Sequence, residues 1–464
     1  MQVMHSTLRF ARVISLQHTP TMRALFCTAL VVCASARGFL QEKSHANGTG
    51  ICDPNVNQYS GYYKLKVGLL PKNYFYWFFE ARENPKTAPL VLWMTGGPGC
   101  SSEVALFGEN GPCKVNTDGS NTTVNPYSWN SKANLLYIDQ PAGTGFSYGT
   151  GLDHDEDGVA KDMYDFLQQF LQEHTQYQGN DFYAFGESYA GHYVPAVTHQ
   201  VWQNNQNLPK GAIKINLKGT AVGNGLTNPQ EQYKWYPDMA ASTNDHTPVV
   251  NKTGYALMKA AVPLCTAAIA KCDAGNATAC LTATDICNLA LLEPYQLTGR
   301  NVYDMRIPCE VPPLCYDFSN VGVYLKRPEV VAALGVDGHK WSDCNHVVAL
   351  AFETSGDWMH SFHTKLIDQL NAGIRVLIYA GDQDYICNWL GNQAWTLALD
   401  WPHKADFNAA PVTNFTAGGT SNVGELRTSN GLSFLRVFDA GHMVPRDQPE
   451  NSLNMVNAFI TGQL

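Results

Sequence analysis

The chain has 464 residues, of which 45% are hydrophobic and only 15% are charged. A globular chain of this length and composition can bury a large core, and it needs neither metals nor a dense disulfide framework to fold. Its formal net charge of −9 argues against nucleic-acid and anionic-membrane partners, because phosphate binding requires clustered lysines and arginines.

The amino-terminal residues have the pattern of an export signal. Arg23 precedes the apolar run 24–34, which ends in a small-x-small cleavage pattern. We expect a signal peptide over residues 1–36, with translation starting at Met1 or at Met22. The apolar run is shorter than the roughly 20 residues of a membrane-spanning helix, and no later segment is expected to reach that length. The sequence therefore predicts no stable membrane anchor.

The number of cysteines also indicates export, through an oxidising compartment in which disulfides form. Of 13 cysteines, Cys27 and Cys33 lie in the expected signal, and the remaining 11 (13 − 2) predict five bridges and one free thiol. A zinc site is the competing interpretation, but the sequence contains no CxxC pair and no HExxH, so no metal or other cofactor is expected. Sequons that fit a glycosylated, exported surface occur at Asn47, Asn121, Asn251, Asn276 and Asn414.

Short apolar runs that end in glycine-containing turns predict the strands of a sheet. These runs are Phe75–Ala81, Leu90–Thr95, Leu135–Asp139, Phe182–Gly186, Lys218–Gly223, Arg375–Gly381 and Phe434–Asp439. A helix is predicted over Val159–His174, where apolar residues recur at spacings of three and four. Apolar strands that alternate with helices imply an α/β fold, in which a mostly parallel sheet is covered by helices on both faces.

One region breaks this rhythm of strands and helices. Residues 227–345 are polar, rich in Ala and Thr, and hold most of the remaining cysteines, and the strand pattern resumes after them. We predict an inserted, disulfide-braced lobe over 227–345 and an α/β core over 51–226 and 346–464. The polar stretch 37–50 fits a propeptide before this core.

A candidate nucleophile follows the fourth predicted strand. Gly186–Pro195 (GESYAGHYVP) leads from that strand into a helix-compatible segment, the strand–turn–helix context of a nucleophile elbow. Small residues at Gly186 and Ala190 permit the sharp turn that would expose Ser188. The alternative is an ordinary serine at the start of a helix.

A catalytic serine needs a base, and the base needs an acid that orients it. In α/β-hydrolases these partners follow the serine in the order acid, then histidine, each on a loop after a later strand. Here Arg375–Gly381 leads to Asp382 and Asp384, and Phe434–Asp439 leads to His442. Alone, each acid could be a turn former and the histidine inert. Their order favours catalysis, and it leaves the choice between the two acids open.

The oxyanion of an acyl-transfer reaction also needs backbone donors. The glycine-rich loop Trp93–Ser102 (WMTGGPGCSS) follows an early strand, where such a donor is normally found, and the second donor is the residue after the nucleophile. We therefore assign Gly97 and Tyr189 to the oxyanion hole. A tight turn without a ligand is the alternative interpretation of the loop.

Several further motifs together resemble the serine carboxypeptidase family, of the carboxypeptidase Y and cathepsin A kind. The matching stretches are Asp53–Tyr62, Gly96–Ser102, Pro126–Asn130, Asp139–Tyr148, Gly186–Pro195, Thr298–Asp304, Gly381–Asn392 and Gly441–Pro445. The resemblance covers nearly the whole mature chain. It implies an α/β-hydrolase fold, a Ser188–His442–Asp384 triad, and the C-termini of peptides or proteins as substrates.

The resemblance also implies how the substrate's terminal carboxylate is bound. The binding groups would be Gly96, Glu109, Glu187 and the residue at position 95, where the family has Asn and this chain has Thr95. Buried carboxyls that share protons can donate hydrogen bonds to a carboxylate, which implies an acidic pH optimum. The shorter hydroxyl of Thr95 is expected to hold the carboxylate more weakly.

Substrate pockets and disulfides are likewise implied by the resemblance. The leaving residue would contact Tyr303, Tyr316 and Met443, which favours hydrophobic C-terminal residues, and the neighbouring pocket would contain Tyr189, Trp358 and the free thiol of Cys387. The implied disulfides are Cys52–Cys113, Cys100–Cys344, Cys265–Cys287, Cys272–Cys280 and Cys309–Cys315. The compartment would be an acidic lysosome- or vacuole-like one or the cell exterior, and a homodimer is left open.

Two rival functions remain on the sequence alone. A related acyltransferase or esterase would pass the acyl group to an alcohol, but Glu109 and Glu187 favour a substrate that ends in a carboxylate. A binding or protective protein would not need its nucleophile, so replacing Ser188 would spare its function. The complete set of catalytic residues favours the peptidase.

Overall fold

The computed structural model describes residues 51–241 and 248–464. The expected signal peptide over 1–36, the propeptide over 37–50 and the sequon at Asn47 lie outside the described residues. They stay predictions.

Thirteen strands form in the described residues. They are β1 (Gln58–Lys64), β2 (Lys72–Phe79), β3 (Leu90–Thr95), β4 (Cys113–Val115), β5 (Thr122–Val124), β6 (Asn134–Ile138), β7 (Tyr148–Gly149), β8 (Phe182–Glu187), β9 (Leu217–Gly223), β10 (Arg375–Gly381), β11 (Thr413–Phe415), β12 (Gly424–Ser429) and β13 (Leu432–Val437). Most of them are short and buried, as strands inside an α/β core are.

Helices lie between many of these strands. The α-helices are α1 (Ser102–Gly108), α2 (Glu156–Glu173), α3 (Ala190–Gln206), α4 (Pro229–Gln232), α5 (Tyr236–Ala241), α6 (Lys252–Asp273), α7 (Ala277–Cys287), α8 (Glu293–Gln296), α9 (Ser319–Leu325), α10 (Pro328–Leu334), α11 (His346–Ser355), α12 (Ile367–Asn371), α13 (Trp389–Ala398), α14 (Lys404–Ala409), α15 (Val444–Asp447) and α16 (Pro449–Thr461). Short 3₁₀ helices cover Trp129–Ser131, Thr175–Tyr177, Tyr233–Trp235, Asp357–Met359 and His363–Leu366, and a π-helical turn covers Asn288–Leu292.

Eleven of the described strands form one mixed sheet. Its order is β1-β2-β6-β3-β8-β9-β10-β13-β12-β11, and β7 pairs with β2. The six strands from β6 to β13 pair in parallel, and the strands on either side of them pair antiparallel. The predicted α/β fold with a mostly parallel sheet is therefore confirmed.

The central strands are buried on both faces, which explains their continuous apolar sequence. In β3, Leu90, Leu92 and Met94 belong to the core on one face, whereas Val91 and Trp93 belong to the core on the other. Successive side chains of a strand point to opposite faces, so a strand covered on both sides has a nearly continuous apolar sequence.

Two predicted strands, Leu90–Thr95 and Arg375–Gly381, have the observed bounds, and the others differ at their ends by a few residues. β1 was not predicted, because Gln58–Lys64 (QYSGYYK) lacks an apolar run and forms the edge of the sheet. The helix predicted from Val159 begins at Glu156. The Asp155 side chain accepts a hydrogen bond from the Gly158 N–H at 2.8 Å and caps it.

The helical insertion, residues 224–374, lies between the neighbouring strands β9 and β10. Its described residues contribute helices α4 to α12 and no strand to the main sheet. This is the region in which the lobe was predicted, and the lobe's boundaries at 227 and 345 stay predictions.

Five disulfides form among the described cysteines. They are Cys52–Cys113, Cys100–Cys344, Cys265–Cys287, Cys272–Cys280 and Cys309–Cys315, the pairs that the resemblance implies. Two of them join α6 to α7, and the Cys100–Cys344 bridge joins the loop after β3 to the segment before α11. Among the described residues, Cys387 is the free cysteine.

Helix α6 is long and apolar enough, by length and composition, to cross a membrane. The expectation that no segment after the signal would reach this length was therefore wrong. Its apolar character is spread over alanines and interrupted by Lys259 and Pro263, so it does not form one continuous run. In the folded chain α6 packs against α5 and α7, with Cys265 and Cys272 buried and bridged.

Candidate active site

Ser188 occupies a sharp turn between β8 and α3. Its φ of +66° lies in the left-handed region, which a non-glycine residue rarely adopts. Neighbouring backbone holds the turn, because the Ser188 N–H donates to the Gly223 carbonyl at 3.2 Å and the Ser188 carbonyl accepts from Leu226 N–H at 3.0 Å. The predicted strand–turn–helix geometry is present, and the serine is only half-buried.

Close packing under this turn requires glycine at two positions. A Cβ on Gly186 would lie 2.6 Å from the Ala190 Cβ and 2.6 Å from the Met94 carbonyl oxygen. A Cβ on Gly96 would lie 2.4 Å from the Tyr189 nitrogen. The loop after β3 therefore approaches the turn at van der Waals distance only because side chains are missing there.

His442 and Asp384 are joined by a buried hydrogen bond. The Nδ1 atom of His442 lies 2.7 Å from the Asp384 Oδ2 atom, and the two side chains are 2% and 0% exposed. Because an ionised carboxylate only accepts hydrogen bonds, this contact places the proton on Nδ1 and leaves Nε2 free to act as a base. Asp382 instead pairs with Arg436 at 3.0 Å. The structure thus distinguishes the two acids that the sequence could not.

Asn224 is a further member of this group that sequence reasoning missed. Its Nδ2 donates to the Asp384 Oδ2 at 2.8 Å, and its Oδ1 accepts from the Gly381 N–H at 3.0 Å. The Ile386 N–H donates to the other Asp384 oxygen at 3.1 Å. The signal that could have indicated Asn224 is its place in a Gly-Asn-Gly turn at the carboxyl end of a predicted strand.

A single segment of the insertion positions both catalytic loops. The His442 N–H donates to the Tyr303 carbonyl at 2.8 Å, and the Tyr385 and Ile386 N–H groups donate to the Val302 carbonyl at 3.1 and 3.0 Å. The Tyr303 ring also lies edge-on to the His442 imidazole, with 5.0 Å between centroids. The motif that contains Tyr303 therefore orients the loops of both His442 and Asp384.

Parallel pairing brings the site residues together. Thr95, the last residue of β3, is the register partner of Glu187, the last residue of β8, and Glu187 in turn is paired with Gly223 of β9. Because the carboxyl ends of parallel strands meet at one edge of the sheet, the loops after β3, β8, β9, β10 and β13 converge there.

The predicted oxyanion donors flank Ser188. Tyr189 stands at the N-terminus of the 17-residue helix α3, where the helix dipole favours negative charge. Gly97 has a φ of +114°, which glycine adopts readily. Gly97 and Ser188 line the same cavity, and assignment of the two N–H groups to an oxyanion hole stays a prediction.

Glu109 and Glu187 form a buried pair of carboxyls, 2% and 3% exposed. Burial, reinforced by the neighbouring Glu109, raises the pKa of Glu187 well above its ordinary range. Burial also raises the pKa of Glu109, to about 7, although a hydrogen bond with Glu187 opposes this shift. Both shifts favour the protonated forms, and proton sharing between the two carboxyls stays a prediction.

Thr95 lines the same cavity as Glu187 and is held there by two hydrogen bonds. Its Oγ1 accepts a hydrogen bond from the Trp93 indole at 2.9 Å, and its N–H donates to the Ser102 Oγ at 3.2 Å. The accepted bond leaves the hydroxyl proton available to an anion in the cavity. Thr95 therefore offers one donor, at the reach of a short side chain.

Two cavities open beside Ser188. The main cavity has a volume of about 210 Å³ and is lined by Thr95, Gly96, Gly97, Pro98, Cys100, Val104, Glu187, Ser188, Tyr303, Pro313, Leu314, Tyr316, Phe318, Cys344, Asn345, His346, Ala349, His442 and Met443. The smaller pocket, of about 40 Å³, is lined by Gly97, Ser188, Tyr189, Leu226, Tyr236, Tyr303, Trp358, Ile386 and Cys387.

The predicted pocket residues divide between these cavities. Tyr316 and Met443 line the main cavity, Trp358 and Cys387 line the smaller pocket, and Tyr303 lines both. Apart from Tyr316, sequence reasoning did not identify the main-cavity residues within 313–318 and 345–349, which are Pro313, Leu314, Phe318, Asn345, His346 and Ala349. They come from the insertion, where no strand pattern marks them.

The free thiol of Cys387 lies close to the catalytic pair. Ligand atoms of Cys387, Asp384 and His442 lie within 4.8 Å of one another. Burial raises the pKa of the Cys387 thiol well above its usual range, so it stays protonated, and metals bind the thiolate rather than the thiol. In the other cluster of this kind in the described residues, Cys272 and Cys280 are bonded to each other beside His360.

A strained nucleophile turn, a His–Asp pair and a buried pair of carboxyls with raised pKa values, all at one sheet edge, define a serine hydrolase site. The chain matches the family model described as serine carboxypeptidase, peptidase S10, over residues 49–462. It therefore belongs to the serine carboxypeptidase family, and it is a peptidase of the hydrolase class.

Individual relatives show the same similarity. Carboxypeptidase Y of Saccharomyces cerevisiae is 42% identical over 416 residues, which cover 88% of this chain and 76% of the relative. Carboxypeptidase Y homolog A of Talaromyces stipitatus is 43% identical over 419 residues, which cover 89% of this chain and 74% of the relative. The solved structure of Kex1(delta)p, a prohormone-processing carboxypeptidase from Saccharomyces cerevisiae, has a TM-score of 0.79 at 25% identity and covers 90% of this chain and 95% of that one. These similarities confirm the predicted α/β-hydrolase fold.

Proposed function

We propose that this carboxypeptidase works through an acyl-enzyme on Ser188. The Ser188 hydroxyl attacks the last peptide carbonyl while His442 Nε2 accepts its proton, and the N–H groups of Gly97 and Tyr189 bind the oxyanion. His442 then protonates the leaving amine, and water hydrolyses the ester by the same route in reverse. The buried 2.7 Å contact between His442 and Asp384, beside a cavity that both Ser188 and His442 line, is the observation that carries this proposal.

The substrate's free carboxylate is bound by the acid pair. Glu187 lines the main cavity next to Ser188, and both it and Glu109 have one carboxyl oxygen that is buried without a partner among the described residues. A protonated carboxyl can donate to the substrate carboxylate, whereas an ionised one would repel it. Gly96 and Thr95 supply the remaining donors.

This recognition implies an acidic working range. Glu109 loses its proton as pH rises through about 7, the value to which burial raises its pKa, and the negative charge that the pair then carries opposes binding of a carboxylate. Binding of free C-termini therefore weakens at neutral and alkaline pH.

Hydrophobic leaving residues are the preferred ones. Tyr303, Tyr316 and Met443 form apolar walls of the main cavity, together with Leu314 and Phe318. No acid other than Glu187 lines this cavity among the described residues, so a basic leaving residue would lose hydration without gaining a partner.

The secretory pathway and an acidic compartment reached from it are the proposed location. Five disulfides are typical of an oxidising environment. The described sequons at Asn121, Asn251, Asn276 and Asn414 are all exposed, as glycosylation requires.

The test is a pH profile of hydrolysis of blocked dipeptides with free or amidated C-termini, ending in Leu or Arg. We expect the free Leu peptide to be cleaved best, at acidic pH, with KM rising above pH about 7. Ser188→Ala should abolish both turnover and labelling by a serine-reactive phosphonate. Equal rates on free and amidated peptides, or an active Ser188→Ala variant, would contradict the proposal.

A further inference from the structure

One residue of the smaller pocket makes a buried hydrogen bond that plays no part in the proposed reaction. The Tyr189 hydroxyl donates to the Asp357 Oδ2 atom at 2.6 Å. Both residues are almost fully buried, Tyr189 at 1% and Asp357 at 4% exposed. Tyr189 follows the nucleophile directly, and its ring is a wall of the smaller pocket.

Asp357 is also connected to a second aromatic residue of that pocket, which packs directly against Tyr189. It begins the short 3₁₀ helix Asp357–Met359, so Trp358 is its neighbour in the chain. The Trp358 ring lies 5.2 Å from the Tyr189 ring between centroids, at an angle of 33°. The Trp358 indole donates to the Tyr233 hydroxyl at 3.2 Å, which ties Trp358 to the 3₁₀ helix Tyr233–Trp235 within the helical insertion.

The position of Asp357 is itself determined by its surroundings. Its Oδ1 accepts from the Glu156 N–H, at the first residue of α2, at 3.3 Å, and its own N–H donates to the Ser355 Oγ at 3.3 Å. A buried carboxylate with these partners has little freedom to move, because each broken bond would leave a desolvated polar group. The Tyr189 hydroxyl is therefore bonded to a fixed point.

We propose that Asp357 is a positioning residue that holds the Tyr189 ring against the Trp358 ring, so that the two form one ordered aromatic wall that favours a large penultimate residue of the substrate. The inference rests on the proposed function, because the smaller pocket beside Ser188 must hold the acyl-side residue. Without the Tyr189–Asp357 bond the Tyr189 ring is free to turn away from Trp358 into the pocket, and the space for a large side chain is lost.

A double-mutant cycle tests this positioning. Tyr189→Phe keeps the ring and removes the hydroxyl, Asp357→Asn removes the charge, and the double variant removes both. The substrates are two blocked dipeptides that share a C-terminal Leu and carry Phe or Ala before it. We expect the kcat/KM ratio of the Phe to the Ala peptide to fall about tenfold in each single variant and no further in the double variant, a loss of about 1.4 kcal/mol.

The change should lie in KM for the Phe peptide, while any change in kcat should be shared by both peptides and cancel in the ratio. Tyr255→Phe is the matched control, since it removes a tyrosine–aspartate bond of 3.0 Å, to Asp238, within the helical insertion. It should leave the ratio unchanged. If Asp357→Asn fails to fold, Tyr189→Phe still decides the question.

Two results would overturn the inference: an unchanged ratio in Tyr189→Phe, or effects of the two single changes that add in the double variant. Failure of the proposed function would be distinguishable, because the unmodified enzyme would then cleave neither dipeptide or would cleave the amidated forms equally well.

Discussion

At the scale of single residues, Thr95 is the position where this site departs from the family it resembles. An asparagine there could still accept from the Trp93 indole, which now bonds the Thr95 hydroxyl at 2.9 Å, and its NH₂ group would reach farther into the cavity. A hydrogen bond to a charged group contributes about 1.5–3 kcal/mol. We expect Thr95→Asn to lower KM for peptides about tenfold.

The measurement is KM for a blocked dipeptide with a free C-terminus, with its amide as the control substrate. The amide lacks the charge that the new donor would bind, so its KM should change little. An unchanged or higher KM for the free peptide would count against a role of position 95 in carboxylate binding.

At the scale of elements, the ends of the parallel strands determine how well the triad is oriented. Asn224, directly after β9, donates to Asp384 at 2.8 Å, so Asn224→Ala removes one of the bonds that hold the acid. We expect kcat to fall about tenfold with little change in KM, because the lost orientation matters most in the transition state. Asn430→Ala is the control. Asn430 also has a positive φ but lies in an exposed turn, and an equal kcat in both variants would refute the role of Asn224.

The turn between β8 and α3 yields a prediction about stability. Gly186→Ala would place a Cβ 2.6 Å from both the Ala190 Cβ and the Met94 carbonyl oxygen, and overpacking of this kind costs about 1–3 kcal/mol. This cost is measured as the difference in the free energy of unfolding in urea between the variant and the unmodified protein. Gly179→Ala is the control, because a Cβ there meets nothing within 4 Å, and equal stability of the two variants would contradict the prediction.

At the scale of the whole molecule, buried acids make stability depend on pH. Burial raises the pKa of each of these carboxyls: Glu103, Glu109, Asp139, Glu156, Asp162, Glu187 and Asp357. A carboxyl whose pKa is raised by folding stabilises the protein below its unfolded pKa, and this stabilisation is lost as pH rises through the folded pKa. Because the pKa values reach about 7 for Glu109 and Asp162 and about 6 for Asp357, the loss falls between pH about 4 and 7.

We therefore expect the free energy of unfolding, and with it Tm, to fall as pH rises from about 4 to 7. The raised pKa of Glu109 alone corresponds to a loss on the order of 3 kcal/mol in the free energy of unfolding. Thermal unfolding across this range measures it. Glu156→Gln should make the decline shallower, and Glu353→Gln, at an exposed position, should not. A Tm that rises with pH would show that other groups control stability.

The sequence by itself determined the strands at the centre of the sheet, the turn at Ser188 and the order of the catalytic residues, because these follow from local apolar patterning and turn chemistry. Tertiary structure decided that Asp384 rather than Asp382 faces His442, that Asn224 supports it, and that Asp357 bonds Tyr189. These contacts join residues that are 58, 160 and 168 positions apart. Strand register and packing bring them together, and no local pattern encodes that proximity.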